Sequence, residues 1–249
     1  MTLTIADPAS LPGRVAVADD DENALSRGCD QVRFLRFEPY RLLIRERRPL
    51  QDVLNEVKSE GCGALISDHR FKTRANVNFD GAELVYRANQ GGLPAVLYSA
   101  HVDEDEADSI RAWRYGIPRV VRKERGSTRA LAEALSVAEK ETHGERELTR
   151  QGFLTPVRVV RIPEDSTTDT RQRYPMVDVT VTAWRPRVLV PMPMSLLPEE
   201  ALNSPETLPG RIFLGEVNYY AEHGNELFFH NLKVAPPSRL ARRGDRNSA

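Results

Sequence analysis

Through Ala64-Leu65-Ile66 the chain is apolar without a break, with Gly61 and Gly63 just before the run and a carboxylate, Asp68, just after it. A run this short and this uniformly apolar reads as a strand buried on both faces, the kind found inside a parallel sheet covered by helices. The constraint is strong because the pattern recurs. Val15-Ala16-Val17-Ala18 ends in Asp19-Asp20-Asp21-Glu22, Pro94 to Tyr98 ends in Ser99-Ala100-His101, and Ile117 to Val121 ends in Arg122-Lys123. Tyr40 to Ile44 reads as one more strand.

Between these runs the apolar spacing changes to three and four. Leu25, Cys29, Val32 and Leu35 predict a helix over about 22–36 despite Gly28, and Pro39 closes that segment. Pro49 suits the first turn of a second helix with Leu50, Val53, Leu54 and Val57 on its apolar face and Gly61 as its stop. Asp80-Gly81 opens a third helix that Gly91-Gly92 ends, 103–113 is a fourth with an acidic start, and Leu131, Ala134, Leu135 and Ala138 mark a fifth. Five strands alternating with five helices predict a doubly wound α/β domain over 13–141, preceded by an extension at 1–12.

The charged stretch 142–154 is either a linker or an extension of the last helix. From Thr155 the character changes to β-branched or alternating runs: 156–162, 176–184, 188–190, 211–220 and 226–234, with a hairpin expected at Glu222-His223-Gly224-Asn225. These predict a small all-β domain over 155–236, a sandwich or partly open barrel, followed by a basic tail at 237–249. Net charge is only −1 with 29% charged residues, so no global electrostatic pull toward nucleic acid or a membrane surface exists. No stretch approaches the ~20 apolar residues that span a bilayer. The two cysteines, Cys29 and Cys62, fall in a helix and beside a buried strand, which reads as free thiols in a reducing compartment. The expectation is a cytoplasmic protein.

With the sheet order 2-1-3-4-5, the carboxyl ends of strands one, three, four and five converge, and with them Asp19, Asp20, Asp68, Ser99 and Lys123. The local sequences around these residues are Val15-Ala16-Val17-Ala18-Asp19-Asp20-Asp21, Leu65-Ile66-Ser67-Asp68, Asp80-Gly81-Ala82-Glu83-Leu84, Val96-Leu97-Tyr98-Ser99-Ala100 and Val120-Val121-Arg122-Lys123. In this order and spacing they resemble the receiver domain of bacterial two-component response regulators, over roughly the first 140 residues. The resemblance implies a flavodoxin-like parallel sheet. It implies Asp68 as phosphoacceptor, Asp19 and Asp20 with Asp68 and the Arg70 backbone carbonyl as Mg²⁺ ligands, Ser99 as switch hydroxyl and Lys123 as partner of the phosphoryl group. A histidine kinase or phosphotransfer protein is the implied donor, and a homodimer through the fourth-helix and fifth-strand face near Trp113 the implied assembly. On this reading the chain is a signalling protein and not an enzyme. The chemistry agrees: clustered carboxylates favour a hard cation, and cation, lysine and hydroxyl would together stabilise a transferred phosphoryl group.

Several positions depart from the family pattern. Glu124 follows the lysine where receivers carry proline, Val120 stands at the usual aromatic switch position, and the loop after Asp68 is longer and basic. A phosphorylation-independent adaptor with the same fold is therefore the alternative. A Mg²⁺-dependent phosphohydrolase, and a DNA-binding regulator using Arg239, Arg242, Arg243 and Arg246 of the tail, are lesser ones. Residue by residue the plain readings also stand. Asp19, Asp20, Asp68 and Ser99 can serve as helix caps, and Lys123 can belong to a solvated basic edge with Arg119, Arg122, Arg125 and Arg129. His69 reads as a surface histidine, Trp113 as core aromatic or interface anchor. Trp184, Tyr219, Tyr220, Phe228 and Phe229 read as packing rather than a base-stacking platform.

Overall fold

A computed structural model describes residues 13–45, 48–71, 77–102, 109–124, 127–163 and 175–236. The chain divides into two compact units, Met1–Arg150 and Gln151–Ala249.

In the first unit β1 (Arg14–Asp19), α1 (Glu22–Phe34), β2 (Glu38–Leu43), α2 (Leu50–Ser59), β3 (Ala64–Ser67), α3 (Gly81–Gln90), β4 (Ala95–Ser99), α4 (Ser109–Trp113), β5 (Val120–Arg122) and α5 (Ser127–Thr142) alternate as the apolar runs predict. The five strands are parallel in the order β2-β1-β3-β4-β5, which is the flavodoxin-like order. Alternation inside the runs explains how a strand with no polar side can serve two layers. Ala16, Ala18, Leu65, Ala95 and Leu97 pack with Val53, Leu54, Val57, Leu84, Val85 and Ile110 of α2, α3 and α4. Val15, Val17, Ala64, Ile66, Val96 and Tyr98 pack on the other side with Leu25, Cys29, Val32, Leu131 and Leu135 of α1 and α5. Gly28 is tolerated in α1 for a packing reason: a Cβ there would lie 2.8 Å from the Val17 side chain, so only glycine lets the helix seat on β1.

Two strands differ from their expected limits. β2 begins at Glu38 and contains Pro39, which an edge strand accepts because its missing N–H removes no interior ladder bond. β5 is shorter, because Arg114 donates from Nη1 to the Ile117 carbonyl and the Ile117 N–H bonds back to the Arg114 carbonyl. That hook uses Ile117 as a buried plug instead of a strand residue.

The stretch after α5 does not leave the first unit at once. A 3₁₀ turn at Leu148–Arg150 buries the Arg150 guanidinium against Glu141, Nε to Oε1 2.9 Å, with further bonds to the carbonyls of Arg114 and Tyr115. Arg119 pairs with Glu147 at 2.7 Å, and Arg146 lies over the Tyr115 ring.

In the second unit β6 (Phe153–Arg161), β7 (Met176–Val181), β8 (Val190–Pro193), β9 (Ile212–Val217) and β10 (Phe229–Val234) form one antiparallel sheet in the order β10-β9-β6-β7-β8. Its core face carries Val157, Val159, Val177, Val179, Val181, Phe213, Val217 and Phe229, covered by Leu197, Leu208, Leu227 and Ala201 of the short α6 (Glu199–Leu202). Strands β9 and β10 are joined through a turn at Gly224–Glu226, where the hairpin is expected. Among the described residues the five strands curl into a half-barrel, so of the two expected forms the partly open barrel is the one the chain adopts. The basic tail at 237–249 and residues 72–76 of the loop after Asp68 lie outside the described residues.

Candidate functional site

Strands β1 and β3 are neighbours at the point where the strand order reverses, so the residues just past their ends share one crevice. Asp19 ends β1. The Asp68 N–H donates to the Ala18 carbonyl at 2.8 Å, fixing Asp68 one residue past β3 and beside Asp19. The acidic run after β1 then divides its work. Asp21 caps α1, accepting the Ala24 N–H at 2.9 Å, and Glu22 pairs with Arg41 and Arg45. Asp19 and Asp20 are left to the crevice, where with Asp68 they bring one carboxylate oxygen each within 4.8 Å of one another.

Lys123 reaches this cluster from the far side of the sheet. Its N–H donates to the Ser99 carbonyl at 2.9 Å, which anchors it beside the end of β4. Its Nζ donates to Asp19 Oδ2 at 2.8 Å and Asp68 Oδ1 at 2.5 Å. The lysine is thus part of the site and not of a solvated edge; its side chain is only 19% exposed. The residue after it need not be proline for this aim. The Lys123–Glu124 peptide is trans, and the Glu124 N–H, which a proline would lack, donates to the Arg122 carbonyl at 2.9 Å to close a tight turn around Lys123.

The charges set one another's protonation. Burial works against the Lys123 ammonium, yet the charges of Asp68 and Asp19 and the bonds to both outweigh it and raise its pKa. For Asp19 burial dominates and raises the carboxyl pKa, against the opposing pull of the Lys123 charge and hydrogen bond. Asp68 is oriented by a second contact, the Arg70 N–H donating to Oδ2 at 3.0 Å. The donor set consists of hard carboxylate oxygens, which fits Mg²⁺ better than any softer metal.

The other expected residues fall as follows. Ser99 ends β4 and is buried; its Oγ accepts the His101 N–H at 3.2 Å, the capping use of a serine. His69 is not a surface residue. It is 2% exposed, with Nε2 2.7 Å from Ser109 Oγ, because the loop after Asp68 turns inward and sends Phe71, Val77 and Phe79 into the core behind it. Trp113 is half-buried, its ring 5.1 Å from Tyr86 of α3 and beside the Arg87 guanidinium. In the second unit Phe228 and Phe229 are core, and Trp184 donates from Nε1 to the Ala221 carbonyl. Phe153, Tyr219 and Tyr220 form an aromatic cluster with Tyr220 about half exposed.

Two contributors escape a reading of the sequence. The Tyr98 ring lies 5.7 Å from Lys123 Nζ, a cation–π contact whose only signal is the alternation that turns Tyr98 to the α1 and α5 side. Gly81, the first residue of α3, abuts Asp68 itself: a Cβ there would stand 1.6 Å from the Asp68 carbonyl oxygen. Asp80 caps that helix through the Glu83 N–H, and the Gly81 N–H donates to the His69 carbonyl.

No protein-family model matches the chain, and no curated protein matches it. Solved structures do. A response-regulator receiver-domain protein from Clostridium thermocellum is 15% identical, covers 53% of this chain and 98% of its own, and has a TM-score of 0.40. The receiver domain of nitrogen regulatory protein C is 23% identical over 54% of this chain and 98% of its own, TM-score 0.37. The receiver domain of an HD-domain protein from Pseudomonas fluorescens Pf-5 is 21% identical over 58% of this chain and 95% of its own, TM-score 0.40. Matches to response-regulator receiver domains such as these cover 53–58% of the chain, and its remainder is unrecognised.

Proposed function

We propose that the first unit is a divergent response-regulator receiver that accepts a phosphoryl group on Asp68 and relays the change to the β-rich second unit. The observation that carries this reading is the bridge of Lys123 Nζ to both Asp19 and Asp68, with Asp20 in the same cluster, at the strand-order switch point. A structural salt bridge needs one carboxylate; here one ammonium bridges two, and a third joins their cluster, so the pocket carries surplus negative charge suited to a divalent cation and then to a phosphate. Asp19, Asp20, Asp68 and the Arg70 carbonyl would hold Mg²⁺, which when bound neutralises charge on a transferring phosphoryl group. In the transfer an Asp68 Oδ–P bond forms while the P–N bond of a donor phosphohistidine breaks, and the donor imidazole takes up a proton. Lys123 then exchanges one carboxylate oxygen for a phosphoryl oxygen, and the Ser99 hydroxyl can turn to donate to another. The donor is a histidine kinase or phosphotransfer protein. The two free, buried cysteines support a reducing, cytoplasmic setting.

Incubation with Mg²⁺ and acetyl phosphate tests the reading. A phosphoprotein that is acid-stable, base-labile and absent from Asp68→Asn is expected; its absence from the parent chain overturns it.

Val120 favours the adaptor reading in one respect. It pairs with Leu97 and packs half-buried against the core, so no aromatic ring at that position can change place on phosphorylation. An adaptor binds its partner equally with and without beryllofluoride, and a phosphorylation-dependent affinity or oligomeric state excludes it.

A further inference from the structure

We propose that the state of Asp68 is transmitted to α4 through the buried hydrogen bond between His69 and Ser109, which makes His69 a positioning residue in place of an aromatic switch. The proposal deepens the reading of Asp68 as phosphoacceptor and rests on it for its biological purpose, but not for its physical test.

The peptide that carries the acceptor has no room on one side. The Asp68 carbonyl and the His69 Cα sit so close to Gly81 that a single added carbon would overlap them, at 1.6 Å and 2.9 Å. The Gly81 N–H is also bonded to the His69 carbonyl at 2.9 Å, so the backbone of 68–69 is seated on the first turn of α3. A change at the Asp68 carboxylate therefore cannot be taken up by sliding toward α3. The remaining freedom is a coupled change of ψ at Asp68 and φ at His69, the soft torsions on either side of the planar 68–69 peptide, and that motion swings the His69 ring. The ring is buried and its Nε2 touches Ser109 Oγ at 2.7 Å, the first described residue of the last part of α4. Interiors of this density respond to displacement by discrete repacking, so the ring either carries Ser109 with it or breaks the bond.

What lies beyond Ser109 suits a readout. The described part of the helix, Ser109–Trp113, tightens into a 3₁₀ turn at Arg114–Gly116, so a shift at Ser109 reaches the end of the helix within about one turn. Trp113 at that end is half-buried against Tyr86 and Arg87. The path Asp68–His69–Ser109–Trp113 runs from the site to a partly exposed aromatic without using position 120.

The test compares amide hydrogen exchange over 109–113 in the full chain with Asp68 intact and in the Asp68→Asn variant, each combined with Ser109, Ser109→Ala or Ser109→Thr. Neutralising Asp68 perturbs the site whether or not the protein is ever phosphorylated. With Ser109 present, Asp68→Asn is expected to speed exchange over 109–113 by about fivefold, the size of one ordinary net hydrogen-bond contribution. In Ser109→Ala the difference collapses to less than about twofold, and Ser109→Thr, which keeps the hydroxyl, restores it. An undiminished difference in Ser109→Ala, or no difference in the parent, overturns the relay. A second arm adds Mg²⁺ and beryllofluoride to the parent and to Ser109→Ala. Equal binding with loss of the 109–113 response in Ser109→Ala supports both proposals. No binding to the parent, with the Asp68→Asn response intact, removes the phosphoacceptor reading and leaves the relay standing.

Discussion

Lys123 faces two carboxylates whose own requirements differ, and this decides how the site answers to pH. Asp19 is held above its ordinary value by burial while Lys123 pulls it down. Removing the lysine charge by Lys123→Met therefore raises the Asp19 pKa further, as a carboxyl-detected NMR titration will read. A carboxyl whose folded pKa exceeds its unfolded one contributes stability that is fully present below the unfolded value and lost as pH rises through the folded value. For Asp19 the loss begins near 3.8 and runs upward. At neutral pH Lys123→Met leaves two buried carboxylates without their cation and is expected to cost about 3 kcal/mol in denaturant unfolding, a deficit that shrinks on acidification. Lys123 itself has a raised pKa, so its contribution persists through neutral pH and is lost only in strongly alkaline solution. The thiol of Cys62 is pushed up to about 11, chiefly by burial, and should resist alkylation at pH 8 until the protein is unfolded, as mass spectrometry of the native and denatured chain will show. Much of the residue scale is legible in the sequence, because a carboxylate directly after an apolar run falls at a strand end wherever the sheet is parallel. His69 and Tyr98 are not: their orientation depends on the turn after β3 and on the phase of alternation in β4.

Elements position the site by contacts the chain order only hints at. Gly81→Ala drives a methyl group into the Asp68 carbonyl, so α3 and the loop after β3 must separate; a loss of more than about 2 kcal/mol is expected by thermal or denaturant unfolding, although alanine is the better helix former. Phe71, fully buried and edge-on to Phe79 at 6.0 Å, pins the same loop from beneath, and Phe71→Ala should cost about 3–5 kcal/mol. The helix at 81–90 is readable from Asp80, its apolar spacing and Gly91-Gly92. The inward turn of the loop is not, since Phe71, Val77 and Phe79 follow no period. The expected fifth strand is trimmed for a similar reason: the hook between Arg114 and Ile117 is a tertiary bond that an apolar run cannot announce.

At the scale of the molecule, each unit has its own sheet and core, and the apolar pattern of the sequence changes from blockwise to alternating near residue 155, close to where the chain divides. The exact end of the first unit was not, because it depends on a pair nine residues apart. The Arg150 and Glu141 side chains are 3% and 5% exposed, so a first unit ended after Thr142 strands Glu141 without its cation. Such a chain should be about 3–5 kcal/mol less stable than one ended after Arg150, in paired urea melts. Across the whole chain, the tightness at Gly81 has a consequence for which substitutions the protein can survive. Asp68 is the candidate for chemistry, yet asparagine there keeps the shape of the side chain and can still accept from Lys123 Nζ and the Arg70 N–H. Position 81 has no chemistry at all and accepts nothing larger than hydrogen. In a library sampling every amino acid at every position and sorted only for abundance of folded protein, position 68 should tolerate asparagine while its mute neighbour at position 81 tolerates nothing.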